Sequence, residues 1–309
     1  MIKSNRSIAV LFPCFNEEAA IYDVVKDLKQ RLPQAKVYVY DNNSVDETVN
    51  RALAAGAIVF REPRQGKGNV VRRMFADIDV DIYLMIDGDG TYDTGYAPEM
   101  IDTLISEKLD MVVAVRIEQT DTAHRSGHKF GNLLFNKVLS IFFKSEFKDI
   151  FSGYRVFSRR FVKSFPALSS GFDIETELSI HSLEMSLPVK EIETPFFERI
   201  EGSVSKLSTF KDGFKILWRM IFLFKEIKPL IFFGVFFLLL AGLSLFLGYP
   251  VVLEFLSTGL VPRFPTAILS VGVMLLGFLS LTCGFILDSL SYSRKEAKRL
   301  RYLSLSAPG

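Results

Sequence analysis

Tyr83-Leu84-Met85-Ile86-Asp87-Gly88-Asp89-Gly90-Thr91 is an apolar run of buried-strand type that stops at two carboxylates one residue apart. The glycines beside them let the backbone come close to something bulky and anionic. Two carboxylates this close repel each other at neutral pH, and a divalent cation with a preference for oxygen keeps both ionised. Such a cation would also neutralise a departing diphosphate. Taken alone, Asp-x-Asp fits an acidic strand-to-helix loop equally well, so the surrounding sequence has to decide.

Upstream, Ile8 to Phe12 predicts a buried strand, and Pro13-Cys14-Phe15-Asn16-Glu17-Glu18 the turn into a helix ending near Leu32. Asn16 is the expected N-cap, with both glutamates in the first turn. Val37 to Tyr40 predicts a second strand, running into Asp41-Asn42-Asn43-Ser44-Val45-Asp46-Glu47-Thr48. Ser44 with Glu47 fits a capping box. Asp41 has no such role, because it stands at the carboxyl end of a strand, where open α/β sheets bind ligands. After a third strand at 57–60, Gly66-Lys67-Gly68 opens a helix and suits a phosphate, or else makes a simple turn; the spacing is not that of a Walker loop. Downstream of Asp89 follow a helix from Pro98 to Glu107 and a strand from Met111 to Val115. Strands alternating with helices predict an α/β fold with a mostly parallel sheet.

The chain has 309 residues and a net charge of +2, and its mean hydropathy of +0.25 is high for a wholly soluble protein. The excess lies in two charge-free stretches, between Lys228 and Glu254 and between Arg263 and Asp288, each longer than the ~20 residues a membrane helix needs. No secretory signal is read in the first residues. Arg294, Lys295, Lys298, Arg299 and Arg301 follow the second stretch, so the positive-inside rule puts both termini and the N-terminal domain in the cytoplasm. Cys14 and Cys283 have neither disulfide nor zinc spacing.

In order, Pro13, Asn16-Glu17, Asp41 with Ser44 and Asp46, Gly66-Lys67-Gly68 and Asp87-Gly88-Asp89 resemble family 2 glycosyltransferases of the GT-A fold, a Rossmann-like mostly parallel sheet. Asp149-x-x-Ser152-Gly153-Tyr154-Arg155, Gly171-Phe172-Asp173-Ile174-Glu175 and Arg199-x-x-Gly202-x-Ser205-Lys206-Leu207 narrow the resemblance to polyprenyl-phosphate glycosyltransferases. That group contains dolichyl-phosphate mannose synthase and the bacterial enzymes that glycosylate undecaprenyl phosphate. The resemblance implies that Pro13, Glu17 and Asp41 hold the nucleoside, with Asn16 and Ser44 in the same donor set and Lys67 nearby. Asp87 and Asp89 serve the sugar diphosphate and its Mg2+ or Mn2+, and Arg199 and Lys206 close on the phosphates. Where many relatives carry a glutamine, this chain has Thr91, a third candidate metal ligand.

Asp149, Asp173 and Glu175 are the remaining carboxylates in motif-like settings, with Asp149 and Glu175 as catalytic candidates beside Asp87 and Asp89. A sugar hydroxyl acceptor would require one of them as a general base. A phosphate acceptor, already largely dianionic at pH 7, needs positioning cations instead. Arg116, Arg125, Lys129 and Asn132 are the candidates, and arginine suits bidentate phosphate contact. His124 and His128 are four apart but read as surface histidines. From Phe210, Phe214, Leu217, Ile221 and Phe224 form one stripe and Lys211, Lys215 and Arg219 another, predicting an amphipathic helix on a membrane surface.

The expected organisation is a glycosyltransferase domain at 1–207, an interfacial helix at 208–228, a two-helix transmembrane hairpin at 229–288 and a basic cytoplasmic tail at 289–309. The expected reaction is inverting transfer of one sugar from a UDP- or GDP-sugar to a polyprenyl phosphate at the cytoplasmic membrane, as a multi-pass protein without a nucleic-acid partner. Oligomerisation and a flippase partner stay open. The alternatives are a sugar-nucleotide nucleotidyltransferase and a non-catalytic nucleotide-sugar-binding subunit of a membrane complex.

Overall fold

The computed structural model describes residues 6–118, 147–171, 174–199, 222, 224–226 and 228–306. Its strands are β1 (Ile8–Cys14), β2 (Lys36–Asp41), β3 (Ile58–Arg61), β4 (Ile82–Met85), β5 (Met111–Glu118), β6 (Arg155–Ser158) and β7 (Val189–Phe196). Its helices are α1 (Ile21–Arg31), α2 (Thr48–Ala54), α3 (Lys67–Asp77), α4 (Ala97–Ser106), α5 (Arg159–Ser164), α6 (Ile174–Met185), α7 (Pro229–Thr258) and α8 (Phe264–Leu303). The chain divides into two units, Met1–Asp212 with Lys298–Gly309, and Gly213–Ala297.

In the first unit the strands form one sheet in the order β3-β2-β1-β4-β6-β5-β7. β6 is antiparallel to both β4 and β5, and every other pairing is parallel. Six strands therefore point their carboxyl ends to one edge, and the reversed β6 sends its preceding loop, 149–154, to that edge as well. β1 and β4 are buried on both faces, which explains their unbroken apolar sequences. Val10, Phe12 and Leu84 pack under Ile21, Val25, Leu28 and Met100 on one side, while Leu11, Tyr83 and Met85 pack under Met74, Phe75 and Phe161 on the other.

Two local expectations are corrected. Asn16 is not an N-cap: it has φ +52° and exchanges hydrogen bonds with the neighbouring loop, its N–H donating to Ser44 Oγ (2.9 Å) and its Oδ1 accepting from Val45 N–H (2.9 Å). α1 starts only at Ile21, without a side-chain cap. The Ser44–Glu47 capping box does not form either, since Ser44 is committed to Asn16 and Asp46 accepts from the Thr48 N–H at the start of α2.

In the second unit α7 (30 residues) and α8 (40 residues) are each long and apolar enough to cross a membrane. They meet through small residues, with Ser244 Oγ donating to Ser270 O (2.7 Å) and Ser280 Oγ to Phe233 O (3.2 Å). α8 runs past residue 288 into the basic stretch and continues to Leu303. Its end belongs to the first unit. Tyr302 donates to Asp110 Oδ2 (2.6 Å), a fully buried carboxylate that also holds Arg160 and Ser158, and Lys298 pairs with Glu184 (2.8 Å). The amphipathic stretch at 210–221 lies outside the described residues.

His181 on α6 is buried edge-on against Phe161 and Phe165, and neither ring nitrogen has a hydrogen-bond partner among the described residues. Burial, reinforced by the charge of Lys298, pushes its pKa down to about 3. The unfolded chain therefore binds one more proton than the native protein between that value and the ordinary histidine range, so stability rises with pH across this window and is lost as pH is lowered through it. Urea unfolding should lose stability at up to ~1.4 kcal/mol per pH unit below about pH 6.5, and His181→Leu should flatten that slope. An unchanged slope in the variant would show that His181 is not the group responsible.

Candidate active site

The crevice is built at the carboxyl edge of the sheet. β2 delivers Asp41, whose carboxylate caps its own loop by accepting the N–H groups of Asn43 (3.2 Å) and Ser44 (3.2 Å). Next to it, Asn42 was not singled out by sequence reasoning, yet it sets the following loop: its Nδ2 donates to Glu62 O (2.9 Å) and Arg64 O (2.8 Å), and its Oδ1 accepts from Gly66 N–H (2.7 Å). The glycines around Lys67 have a packing reason. A Cβ on Gly66 would lie 2.1 Å from Ser170 O, and one on Gly68 2.3 Å from Ser169 O. Gly68 N–H is also spent on Gly171 O (3.1 Å). This turn is therefore docked against residues 169–171, and Arg72 fastens the contact by donating to the Ala167 and Ser169 carbonyls. The part that reaches the crevice is the Lys67 side chain.

Lys67 Nζ lies 2.5 Å from Asp87 Oδ1 and bonds Glu175 at the start of α6 as well. Burial opposes its charge, but the neighbouring carboxylates of Asp87 and Glu175 outweigh that and hold its pKa above the ordinary lysine value. Burial, with Asp87 adding to it, pushes Glu175 upward against the pull of Lys67. Asp89 is held on both oxygens. Thr91 Oγ1 donates to Oδ1 (2.6 Å), and Arg199 Nη2 sits 2.9 Å from Oδ2. Arg199 is brought there by the end of β7, where Phe197 N–H donates to Thr91 O (2.8 Å) and Phe196 pairs with Tyr92. The Thr91 hydroxyl thus supports Asp89.

The loop before β6 carries two further parts. Asp149, 3% exposed, forms a two-pronged pair with Arg116 at the end of β5 (2.6 and 2.8 Å), and the Arg116 guanidinium lies over the Phe196 ring. A Cβ on Gly153 would lie 2.4 Å from Asp87 Oδ2, and the Gly153 N–H donates to Tyr92 Oη (2.9 Å). Arg155 is wholly buried and holds this loop from below through Ser152 O (2.8 Å) and Ile150 O (2.7 Å), reaching Ser179 on α6 with its third nitrogen (2.9 Å). Burial lowers its pKa to about 10, so it stays charged at neutral pH. Its role was hidden in the sequence, where only its place in a motif drew notice.

Pro13 lies in β1 opposite Tyr40, and Glu17 is buried in the loop after it, its N–H on Thr48 Oγ1 (2.8 Å). Arg125, Lys129, Asn132, Asp173 and Lys206, with His124 and His128, lie outside the described residues.

A mostly parallel sheet of this order, with acidic residues and cations gathered at its carboxyl edge, defines a glycosyltransferase of the GT-A type. Residues 9–165 match the family described as glycosyl transferase family 2, and the chain belongs to that family. It is 32% identical to the glycosyltransferase AglJ of Haloferax volcanii over 304 residues, covering 96% of this chain and 98% of that protein. It is 56% identical to protein RfbJ of Shigella flexneri over 124 residues, 40% of this chain and 96% of the relative. Among solved structures it resembles glucosyl-3-phosphoglycerate synthase from Mycobacterium tuberculosis in complex with Mn2+, UDP and glucosyl-3-phosphoglycerate, with a TM-score of 0.59, 23% identity, and coverage of 72% of this chain and 80% of that one. At that identity the likeness is one of fold. Membership assigns the chemistry to sugar transfer from a nucleotide sugar, not to nucleotidyl transfer.

Gly153→Ala tests the geometry. The three atoms nearest the added methyl all belong to the Asp87 carboxylate, the closest at 2.4 Å, and this carboxylate must turn away from its present position. Turnover should drop ~100-fold, as for a misplacement of about 1 Å, while the melting temperature stays within about two degrees of wild type. Full activity in the variant would remove Asp87 from the reacting geometry.

Proposed function

We propose that the protein transfers a single sugar, with inversion, from a UDP- or GDP-sugar to a polyprenyl phosphate at the cytoplasmic face of the membrane. The observation that carries this reading is the state of the crevice carboxylates. Asp149 is neutralised by Arg116, and Glu175 is bonded to Lys67, so neither stands ready as the base that a hydroxyl acceptor needs. A phosphate acceptor requires no base. Support also comes from α7 and α8, whose apolar side chains, among them Leu238, Leu239, Phe246, Leu275 and Leu279, are exposed where a soluble protein would cover them. The Haloferax glycosyltransferase matches along nearly the whole chain, these helices included.

Asp87 and Asp89 fit a divalent cation that prefers oxygen. Mg2+ or Mn2+ suits two carboxylates, since such ions take one or two carboxylates and complete their shell with phosphate and water. When bound, the ion supplies counter-charge for the departing nucleoside diphosphate. Asp87 and Asp89 would hold it, with Thr91 fixing the Asp89 carboxylate. Arg199 and Lys67 add positive charge on the donor side. Arg116, half-buried above Phe196, faces the acceptor side with Arg125, Lys129 and Asn132 as sequence candidates. Pro13, Asn16, Glu17, Asp41 and Ser44 are assigned to the nucleoside, and Lys206 to the diphosphate.

The C-terminal residues from Lys298 pack on the glycosyltransferase unit, which supports placing both on one side of the membrane. A reporter fused after Gly309 should behave as cytosolic and one inserted near Ser257 as external; the reverse would separate the catalytic unit from cytoplasmic nucleotide sugars.

The full chain, purified in detergent and supplied with UDP- and GDP-sugars, undecaprenyl phosphate and Mn2+, should yield a lipid-linked monosaccharide identified by mass. Asp89→Ala and chelation should each abolish it. Transfer to 3-phosphoglycerate in preference to the lipid would replace the lipid acceptor with a soluble one.

A further inference from the structure

The two carboxylates assigned above to the divalent cation are each already held by a cation of the protein itself. Lys67 bridges Asp87 and Glu175, and Arg199 lies 2.9 Å from Asp89. Both cations belong to elements other than the one they neutralise: Lys67 opens α3 and Arg199 follows β7. Both carry long side chains with several rotatable bonds. Neither carboxylate would tolerate its partial burial without such a partner, Asp89 being 4% exposed. Yet a divalent ion that enters with these cations in place meets two positive charges directly on its ligands. A nucleoside diphosphate changes the balance, because its phosphates offer the lysine and arginine equivalent or better anionic partners.

We propose that Lys67 and Arg199 are place-holding counter-cations, which neutralise Asp87 and Asp89 until a nucleoside diphosphate enters, then turn to its phosphates and so make divalent-cation binding conditional on the nucleotide. The proposal rests on the reading that this crevice takes a nucleotide sugar together with a divalent cation. Glu175 has a part in it. As the second acid on Lys67, it keeps the buried ammonium paired while Asp87 is released. By linkage, metal and nucleotide must strengthen each other by the same factor.

The test is Mn2+ binding by the full chain in detergent, read from the paramagnetic resonance signal of free Mn2+, without nucleotide and with UDP or GDP. Wild type should bind Mn2+ at least about tenfold more tightly when a nucleotide is present. Arg199→Met should bind Mn2+ about tenfold more tightly than wild type in the absence of nucleotide and lose most of the nucleotide effect. The double variant Lys67→Met/Glu175→Gln removes one charge of each sign, which avoids stranding a buried acid, and should behave in the same way. Arg64→Met removes a basic side chain of the same loop that is paired to Glu62, and should leave Mn2+ affinity unchanged. Folded variants with wild-type or weaker Mn2+ affinity in the absence of nucleotide overturn the proposal, as does an equal gain in Arg64→Met, which would mean a general field effect. In either case Mn2+ binding by wild type with nucleotide leaves the proposed function standing. Absence of Mn2+ binding by wild type under all conditions overturns the proposal together with the metal role in that function.

Discussion

Two negative charges one residue apart, at the end of a strand buried on both faces, are the constraint around which the first unit is arranged. Water reaches Asp89 too little to solvate it, and Asp87 shares Lys67 with a second buried acid. Charge in such a place persists only with partners. Two partners come from distant parts of the chain, Lys67 from the start of α3 and Arg199 from beyond β7, and the Thr91 hydroxyl comes from the loop itself. Each supporting contact then has to be held in turn. Asn42 and the close packing of Gly66 and Gly68 fix the first, and the Tyr92–Phe196 pairing fixes the second.

The reversed strand β6 is the topological device that completes this arrangement. In an all-parallel sheet the segment before a strand arrives at the amino edge, away from the ligand crevice. Because β6 runs the other way, residues 149–154 arrive at the carboxyl edge, where Gly153 makes room for Asp87 and Asp149 takes hold of Arg116. A wholly buried arginine, Arg155, sits at the first position of that strand and binds the loop carbonyls. Its charge is carried by carbonyl dipoles and a hydroxyl, an arrangement in which each of the three guanidinium nitrogens has an acceptor and, among the described residues, no carboxylate is consumed.

The opposite edge of the same sheet holds a second charged cluster. Asp110, at the start of β5, gathers Ser158, Arg160 and Tyr302. The last of these lies almost two hundred residues further along, at the end of α8, so the C-terminal residues are an integral part of the first unit.

The sequence determined the class of fold and supplied the candidates for the site. Alternating apolar strands and amphipathic helices have few solutions other than a layered α/β sheet, and Asp41, Lys67, Asp87, Asp89, Glu175 and Arg199 were all legible as candidates. Local capping was less legible: Asn16, Ser44 and Glu47 fit helix-start patterns, but hydrogen bonds between two loops far apart in sequence claimed Asn16 and Ser44 first. What only the tertiary structure decided is which charges meet. Ion pairing and close packing depend on distance in space, and neither the orientation of β6 nor the approach of Gly66, Gly68 and Gly153 to their neighbours is encoded in any short window of residues. For that reason Asp149 appeared in the sequence as a free acid and Arg116 as a free cation, while in the folded chain each has the other as its partner.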